Sequence, residues 1–100
     1  MQPEKRTPTH PGEILRDDVL PAMGVSVNRA AQDLGVSRQH LHRILKGTHP
    51  VTADMALRLG KLCGNGAGFW IRLQTAHDLH ARAAELKDDL DRIPTYEPAE

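Results

Sequence analysis

The stretch that decides the fold reads VNRAAQDLGVSRQHLHRILK and runs from Val27 to Lys46. It contains two short amphipathic segments, and Ser26 and Ser37 stand where the N-cap of each would lie. Ala31 is small enough for two helices to cross beside it, and Gly35 supplies the positive φ of a tight turn. Three apolar residues would pin the second helix onto the first: Val36, Leu41 and Ile44. This spacing predicts a helix-turn-helix.

Prolines, glycines and capping residues on either side of this stretch predict three further helices. β-branched residues are few and no alternating apolar run occurs, so we expect an all-α fold. The prediction is a five-helix helix-turn-helix domain with a longer C-terminal helix. The flanking helices run from Pro11 to the break at Pro21 and Gly24, from a cap at Thr52 to Gly64, and from near Gly68 past Leu86.

Length and composition restrict what the protein can be. A chain of 100 residues forms one small domain with a modest core, which excludes a large enzyme scaffold. A single cysteine, Cys63, excludes an internal disulfide. No apolar run could cross a bilayer and the N-terminus does not resemble a secretory signal, so we expect a cytoplasmic protein. The predicted organisation is a tail over residues 1–10, the helix-turn-helix domain with its long C-terminal helix over 11–90, and an acidic tail over 91–100.

The net charge is zero, but the charges are segregated along the chain. Between Val25 and Pro50 the only acid is Asp33, whereas the bases are Arg29, Arg38, Arg43 and Lys46. From Glu85 onward six acids stand against Lys87 and Arg92. The middle of the chain is therefore basic and its end acidic.

The basic residues of the second helix of the motif share one face. At about 100° per residue, Leu41, Ile44 and Leu45 fall on one side and the polar residues on the other. Arginine reads guanine and glutamine reads adenine by paired hydrogen bonds, so such a face suits the major groove of DNA. The alternative is a merely solvated helix surface. We expect base contacts from Arg38, Gln39 and Arg43, and phosphate contacts from Ser37, His42, Lys46 and Thr48.

Five blocks of sequence together resemble the HigA family of antitoxins, which belong to the phage-repressor-like helix-turn-helix group, and VapI-type proteins are similar. The blocks cover about residues 10–79, well beyond the DNA-reading segment. They are HPGEIL (10–15), LPAMG (20–24), AAQDLGVSRQHLHRILKG (30–47), PVTADMALRLGK (50–61) and FWIRLQTAHDL (69–79). The resemblance implies a homodimeric antitoxin of a type II toxin-antitoxin module, which represses its own operon and neutralises a HigB-type ribonuclease of the RelE-like class.

Two further surfaces are candidates for protein partners. Apolar residues recur every three or four positions along the last helix beyond what the core needs, so Leu79, Ala83 and Leu86 are expected at a dimer interface. The acidic edge Glu13, Asp17 and Asp18 is a candidate docking surface for a basic toxin.

Other chemistry has little support in the sequence. His77, His80 and Cys63 are too scattered for a tetrahedral metal site, and we expect no metal or other cofactor. No nucleophile–base pair or glycine-rich phosphate loop occurs, so we expect no enzyme. Phe69 and Trp70 are expected to anchor the last helix. Two alternatives remain for the function: a stand-alone phage-type repressor without a toxin, and a protein-interaction adaptor that does not bind DNA.

Overall fold

The computed structural model describes residues 8–99, and within that range every regular element is a helix. The N-terminal helix consists of α1, a π-helical turn and α2 in direct succession. The all-α prediction with a longer C-terminal helix is confirmed. The bounds are α1 Pro11–Ile14, the π turn Leu15–Val19, α2 Leu20–Met23, α3 Val27–Leu34, α4 Arg38–Leu45, α5 Ala53–Cys63, α6 Ala67–Glu85 and α7 Lys87–Asp91.

The predicted capping residues begin three of these helices. The hydroxyl of Ser26 accepts from the Arg29 N–H over 3.1 Å, and that of Ser37 from the His40 N–H over 3.0 Å. Thr52 caps α5 in the same way. Each hydroxyl satisfies a backbone donor that has no partner inside its helix, so the helix starts are set locally by sequence.

The turn between α3 and α4 has the predicted geometry. Gly35 adopts φ 73°, and the Val36 N–H bonds back to the Ala31 carbonyl over 3.1 Å. Ala31 itself is buried against its neighbours. A side chain at Gly35 would strain this backbone, so the glycine fixes how α4 leaves α3.

Of the two residues predicted to close the first helix, Pro21 does not end it. The π turn precedes it, with the Leu20 N–H reaching back to the carbonyl of Leu15, and the helix continues to Met23. Proline has no N–H to donate and crowds the preceding turn, which a locally widened turn accommodates. Gly24, with φ 65°, is the actual stop.

The core lies where the helix-turn-helix packs on the N-terminal helix, α5 and the first half of α6. Trp70 is completely buried, and its indole N–H donates to the Asn65 side chain over 3.0 Å. Phe69 was expected to anchor α6 as well, but it remains 36% exposed and contacts Trp70 edge to face. Trp70 alone is therefore the aromatic anchor. The buried apolar residues are Leu15, Leu20, Ala30, Ala31, Leu34, Leu41, Ile44, Leu45, Val51, Met55, Ala56, Leu59 and Trp70.

The folded part begins earlier than the predicted boundary after residue 10. His10 is only 4% exposed, and its Nδ1 accepts from the Gly12 N–H over 2.9 Å, which caps α1. A Cβ on Gly12 would lie 1.8 Å from the carbonyl oxygen of Ile44, so the start of α1 rests directly on the end of α4. Residues 1–7, which are most of the predicted tail, lie outside the described residues.

The C-terminal helix is shorter than predicted. It ends at Glu85, because Leu86 has φ −95° and ψ 7°, and α7 follows as a separate short helix. Beyond the core its apolar side chains are open to solvent, with Leu79 65% exposed.

Cys63 is half-buried beside the core, and this burial raises the pKa of its thiol.

Candidate nucleic-acid interface

Helix α4 is held against the core by one narrow side. Leu41 and Ile44 are fully buried and Leu45 is nearly so, as the sequence predicted. The rest of the helix surface therefore faces away from the core. An α-helix fixed in this manner can enter a major groove without exposing apolar surface.

The seven residues predicted to contact DNA all lie on this outward side or just after it, and all are exposed. Ser37, Arg38 and Gln39 stand at the N-terminal end of α4, which is the end that approaches base edges in a helix-turn-helix. The others follow along the helix and into the loop behind it: His42, Arg43, Lys46 and Thr48.

The cations of this face are unpaired within residues 8–99. Arg38, Arg43 and Lys46 form no ion pair there, whereas Arg29 on α3 is held by Asp33 over 3.1 Å. An arginine that is not bound to a carboxylate keeps all its N–H donors for another acceptor. This face is therefore a concentrated source of free donors and positive charge.

Two hydroxyls at this surface have different capacities. Ser37 uses its oxygen as an acceptor for the helix cap, so its proton is still available. Thr48 donates its hydroxyl proton to the carbonyl of Arg43 over 3.1 Å, and its N–H goes to the same carbonyl. Ser37 can thus donate to a phosphate directly, while Thr48 closes the end of α4.

His40, which flanks the polar face in the sequence, turns towards the loop behind α4. It is half-buried, and its ring meets that of His49 edge to face at 6.2 Å. His42 is exposed and lies in the last turn of α4, where positive charge is favoured by the helix dipole. Of the two histidines, His42 is the better placed for DNA.

Sequence reasoning did not single out Asn28 and Gln32. They are exposed on α3 and line a shallow groove together with Arg38. Their amides add neutral donors and acceptors beside the N-terminal end of α4. Polar residues on the first helix of a predicted helix-turn-helix are the signal that could have found them.

The predicted acidic edge lies on the N-terminal helix, and Glu13, Asp17 and Asp18 are all exposed. Arg16 donates to Asp17 over 2.7 Å, and this hydrogen bond and charge lower the pKa of the Asp17 carboxyl. The second Arg16 contact, to the carbonyl of Leu45 over 3.3 Å, ties this helix to the end of α4. Glu13 and Asp18 therefore carry the free negative charge of the edge.

His77 on α6 contacts residues that precede α1. The Nδ1 of His77 donates to the Pro8 carbonyl over 2.8 Å, and its ring lies edge-on to that of His10. Within residues 8–99, no three His, Cys, Asp or Glu side chains come close enough together to ligate one ion. None of the helices described is both long and apolar enough to cross a membrane.

Comparison with known proteins agrees with this geometry. A family model described as a helix-turn-helix domain matches residues 9–67. Virulence-associated protein I of Dichelobacter nodosus is 44% identical over 70 residues, which are 70% of this chain and 65% of that protein. The chain thus matches slightly less than two thirds of that relative's length.

Two further similarities concern antitoxins. Antitoxin HigA-1 of Vibrio cholerae is 34% identical over 79 residues, which are 79% of this chain and 74% of that protein. The solved structure of the Pseudomonas aeruginosa antitoxin HigA with the higBA promoter superposes with a TM-score of 0.83 at 34% identity, covering 90% of this chain and 99% of that one. Both fold and sequence are therefore shared over most of the chain.

Proposed function

Because this chain belongs to the HigA family of helix-turn-helix DNA-binding antitoxins, we propose that it is the antitoxin of a type II toxin-antitoxin module. In this role a homodimer binds the operator of its own operon as an autorepressor. The same protein neutralises a HigB-type, RelE-like ribonuclease encoded beside it.

The observation that carries the proposal is the free basic face of α4. Arg38, Gln39 and Arg43 are the base-reading residues, since their side chains offer paired hydrogen bonds to guanine or adenine. Ser37, His42 and Lys46 position the helix on phosphates. Thr48 was also expected on phosphates, but its hydroxyl proton is already donated to the carbonyl of Arg43, so it contributes by fixing the end of α4.

Specific operator binding requires two such modules. One helix-turn-helix buries little surface, whereas a dimer places two recognition helices about 34 Å apart, one turn of DNA. Leu79, Ala83 and Leu86 form the pairing surface. Leu79 and Ala83 are exposed and Leu86 is half-buried, so apolar area is available there for a second copy.

Toxin binding uses the acidic edge and leaves α4 free. A ribonuclease must attract phosphates and therefore carries a basic surface, to which Glu13, Asp17 and Asp18 are complementary. Asp17 is partly neutralised by Arg16, so Glu13 and Asp18 provide most of the attraction. One dimer then holds toxin and operator at once.

Co-purification with the product of the adjacent gene tests the antitoxin role. Retention of a small basic ribonuclease supports it, whereas specific operator binding without such a partner indicates a stand-alone repressor. An adaptor that does not bind DNA would show neither specific binding nor the steep loss of affinity with salt that phosphate contacts cause.

The toxin surface is tested by charge reversal. The double variant Glu13→Lys, Asp18→Lys should slow toxin association several-fold and leave operator affinity nearly unchanged. Asp88→Lys, on the exposed α7, is the matched control for an acid remote from the edge. If toxin and operator DNA compete for one dimer in a titration, α4 itself is the toxin contact and the two-surface model is wrong.

A further inference from the structure

The loop that follows α4 is hydrogen-bonded to a polar side chain of α6. The N–H of Val51 donates to Oε1 of Gln74 over 2.7 Å, and Gln74 is only 5% exposed. Its Nε2 donates to Asp78 over 2.9 Å. Burying an amide is costly unless it is hydrogen-bonded, so this pair fixes the loop in one place relative to α6.

His10 packs beside the same loop. Its ring is within 3.7 Å of the position that a Cβ of Gly47 would occupy, directly under the end of α4. It also contacts the ring of His77 on α6, with centroids 5.1 Å apart. One buried side chain therefore contacts the start of α1 and the middle of α6 and lies beside Gly47, just after α4.

The hydrogen bond of His10 specifies its protonation state. Nδ1 accepts from the Gly12 N–H, so in this arrangement Nδ1 carries no proton and the ring is neutral. A proton on Nδ1 would face another donor, and the cap of α1 would be lost. Because Gly12 rests on the carbonyl of Ile44, a shift of this turn is transmitted to the last turn of α4.

We propose that His10 is a positioning residue for the DNA-reading helix: the neutral ring holds the exit of α4 in its binding geometry, and protonation releases it and weakens operator binding. This inference rests on the proposed DNA-binding function. It adds to that function a residue outside the recognition helix and a dependence on pH.

Several groups face the His10 ring. Burial and the Coulomb interaction with His77 lower the pKa of His10 from 6.5. Hydrogen bonding to the backbone of His49 and the charges of Asp78 and Glu13 act in the opposite direction but do not cancel the effect. Protonation of His10, which releases the exit of α4, therefore occurs below pH 6.5. The neutral form of His10 predominates above that pH.

The test compares operator affinity of the wild-type protein and the His10→Asn variant from pH 8 to pH 5.5. Asparagine is a good N-cap whose side-chain oxygen can accept from Gly12, and it does not titrate. Every other histidine is present in both proteins, so the ratio of their affinities isolates the contribution of His10. We expect equal affinities at pH 8 and progressively weaker wild-type binding than His10→Asn as pH falls below 6.5, with the ratio approaching about fivefold, the equivalent of one helix cap, once His10 is protonated.

Two further variants complete the design. His10→Asp also caps without gaining a proton in this range and should behave as His10→Asn does, even if the latter fails to fold. His80→Asn, at a half-buried histidine of α6, should retain the wild-type profile. Circular dichroism at each pH confirms that the compared proteins are folded, so a difference in affinity does not reflect unfolding.

The outcomes separate the two claims. Parallel pH profiles of wild type and both His10 variants overturn this inference and leave the DNA-binding function intact. Absence of specific operator binding at pH 8 overturns the proposed function and this inference with it. Equal operator affinities of wild type and the His10 variants at pH 8, with weaker wild-type binding below pH 6.5, support both claims.

Discussion

The guanidinium of Arg58 on α5 donates to the backbone carbonyl of Leu34 on α3 over 2.8 Å. That carbonyl lies in the last turn of α3, just before Gly35, and has no partner inside the helix. The Arg58 Nε meanwhile bonds to Asp54 over 3.0 Å. A single side chain thus connects α5 to the turn that sets the direction of the recognition helix.

Replacement of Arg58 by Ala should lower the free energy of unfolding by about 1 kcal/mol, since the lost hydrogen bond is charge-assisted but partly exposed to solvent. Asp54→Asn is the control, because the ion pair it removes lies at the surface and should cost less than about 0.5 kcal/mol. Urea denaturation measures both. Equal losses in the two variants would show that the Leu34 contact contributes nothing.

Gly12→Ala should destabilise the protein by about 3 kcal/mol or more, because the added Cβ would overlap the carbonyl oxygen of Ile44 and force α1 off α4. Gly68→Ala is the matched control in α6. Its Cβ would meet only the end of the flexible Arg72 side chain, at 2.9 Å. That variant should stay within about 0.5 kcal/mol of wild type in thermal or urea unfolding. A folded, fully stable Gly12→Ala protein would contradict the packing described.

The sequence was a good guide wherever a structural role depends on neighbours in the chain. Helix caps at Ser26, Ser37 and Thr52 and the turn at Gly35 involve contacts three to five residues apart, and their residue types have few other uses. The exposed basic face of α4 followed from helical periodicity alone. These elements locate the candidate DNA-binding surface.

Long-range contacts were not predictable in this way. His10 was assigned to a tail because its partners, Gly47 and His77, are brought to it only by the fold. The hydrogen bond from the Val51 N–H to Gln74 spans 23 positions. Phe69 shows the opposite error, because it was expected to anchor α6 together with Trp70. Successive residues of a helix point about 100° apart, so Phe69 is partly exposed although its neighbour is buried.

Stability should fall on acidification, in part through His10. Its pKa is lowered by folding, so the unfolded chain binds the proton more readily and stability rises with pH across the titration. The contribution is complete above pH 6.5 and is lost as pH falls from 6.5 towards the lower pKa of the folded state. Melting temperatures of wild type and His10→Asn between pH 8 and pH 5 check this, and the variant should show the shallower decline.

Dimerisation should depend on Leu79 and not on exposed leucines in general. Leu79→Asp should convert a micromolar dimer to a monomer in sedimentation, because it places a charge in the middle of the proposed pairing surface. Leu57 on α5 is also 65% exposed, which makes Leu57→Asp a matched control that should remain dimeric. A wild-type monomer, or a dimer indifferent to Leu79→Asp, would contradict the proposed interface.

The most direct test of the central claim is a titration of DNA from upstream of the protein's own gene with wild type, Arg43→Ala and Arg92→Ala. Arg43 is on the free face of α4, whereas Arg92 follows α7 and is paired with Asp89. We expect Arg43→Ala to weaken the free energy of operator binding by about 1–3 kcal/mol and to relax base preference, and Arg92→Ala to change neither. Operator affinity and specificity that survive Arg43→Ala, or fall equally in both variants, would contradict base reading by α4.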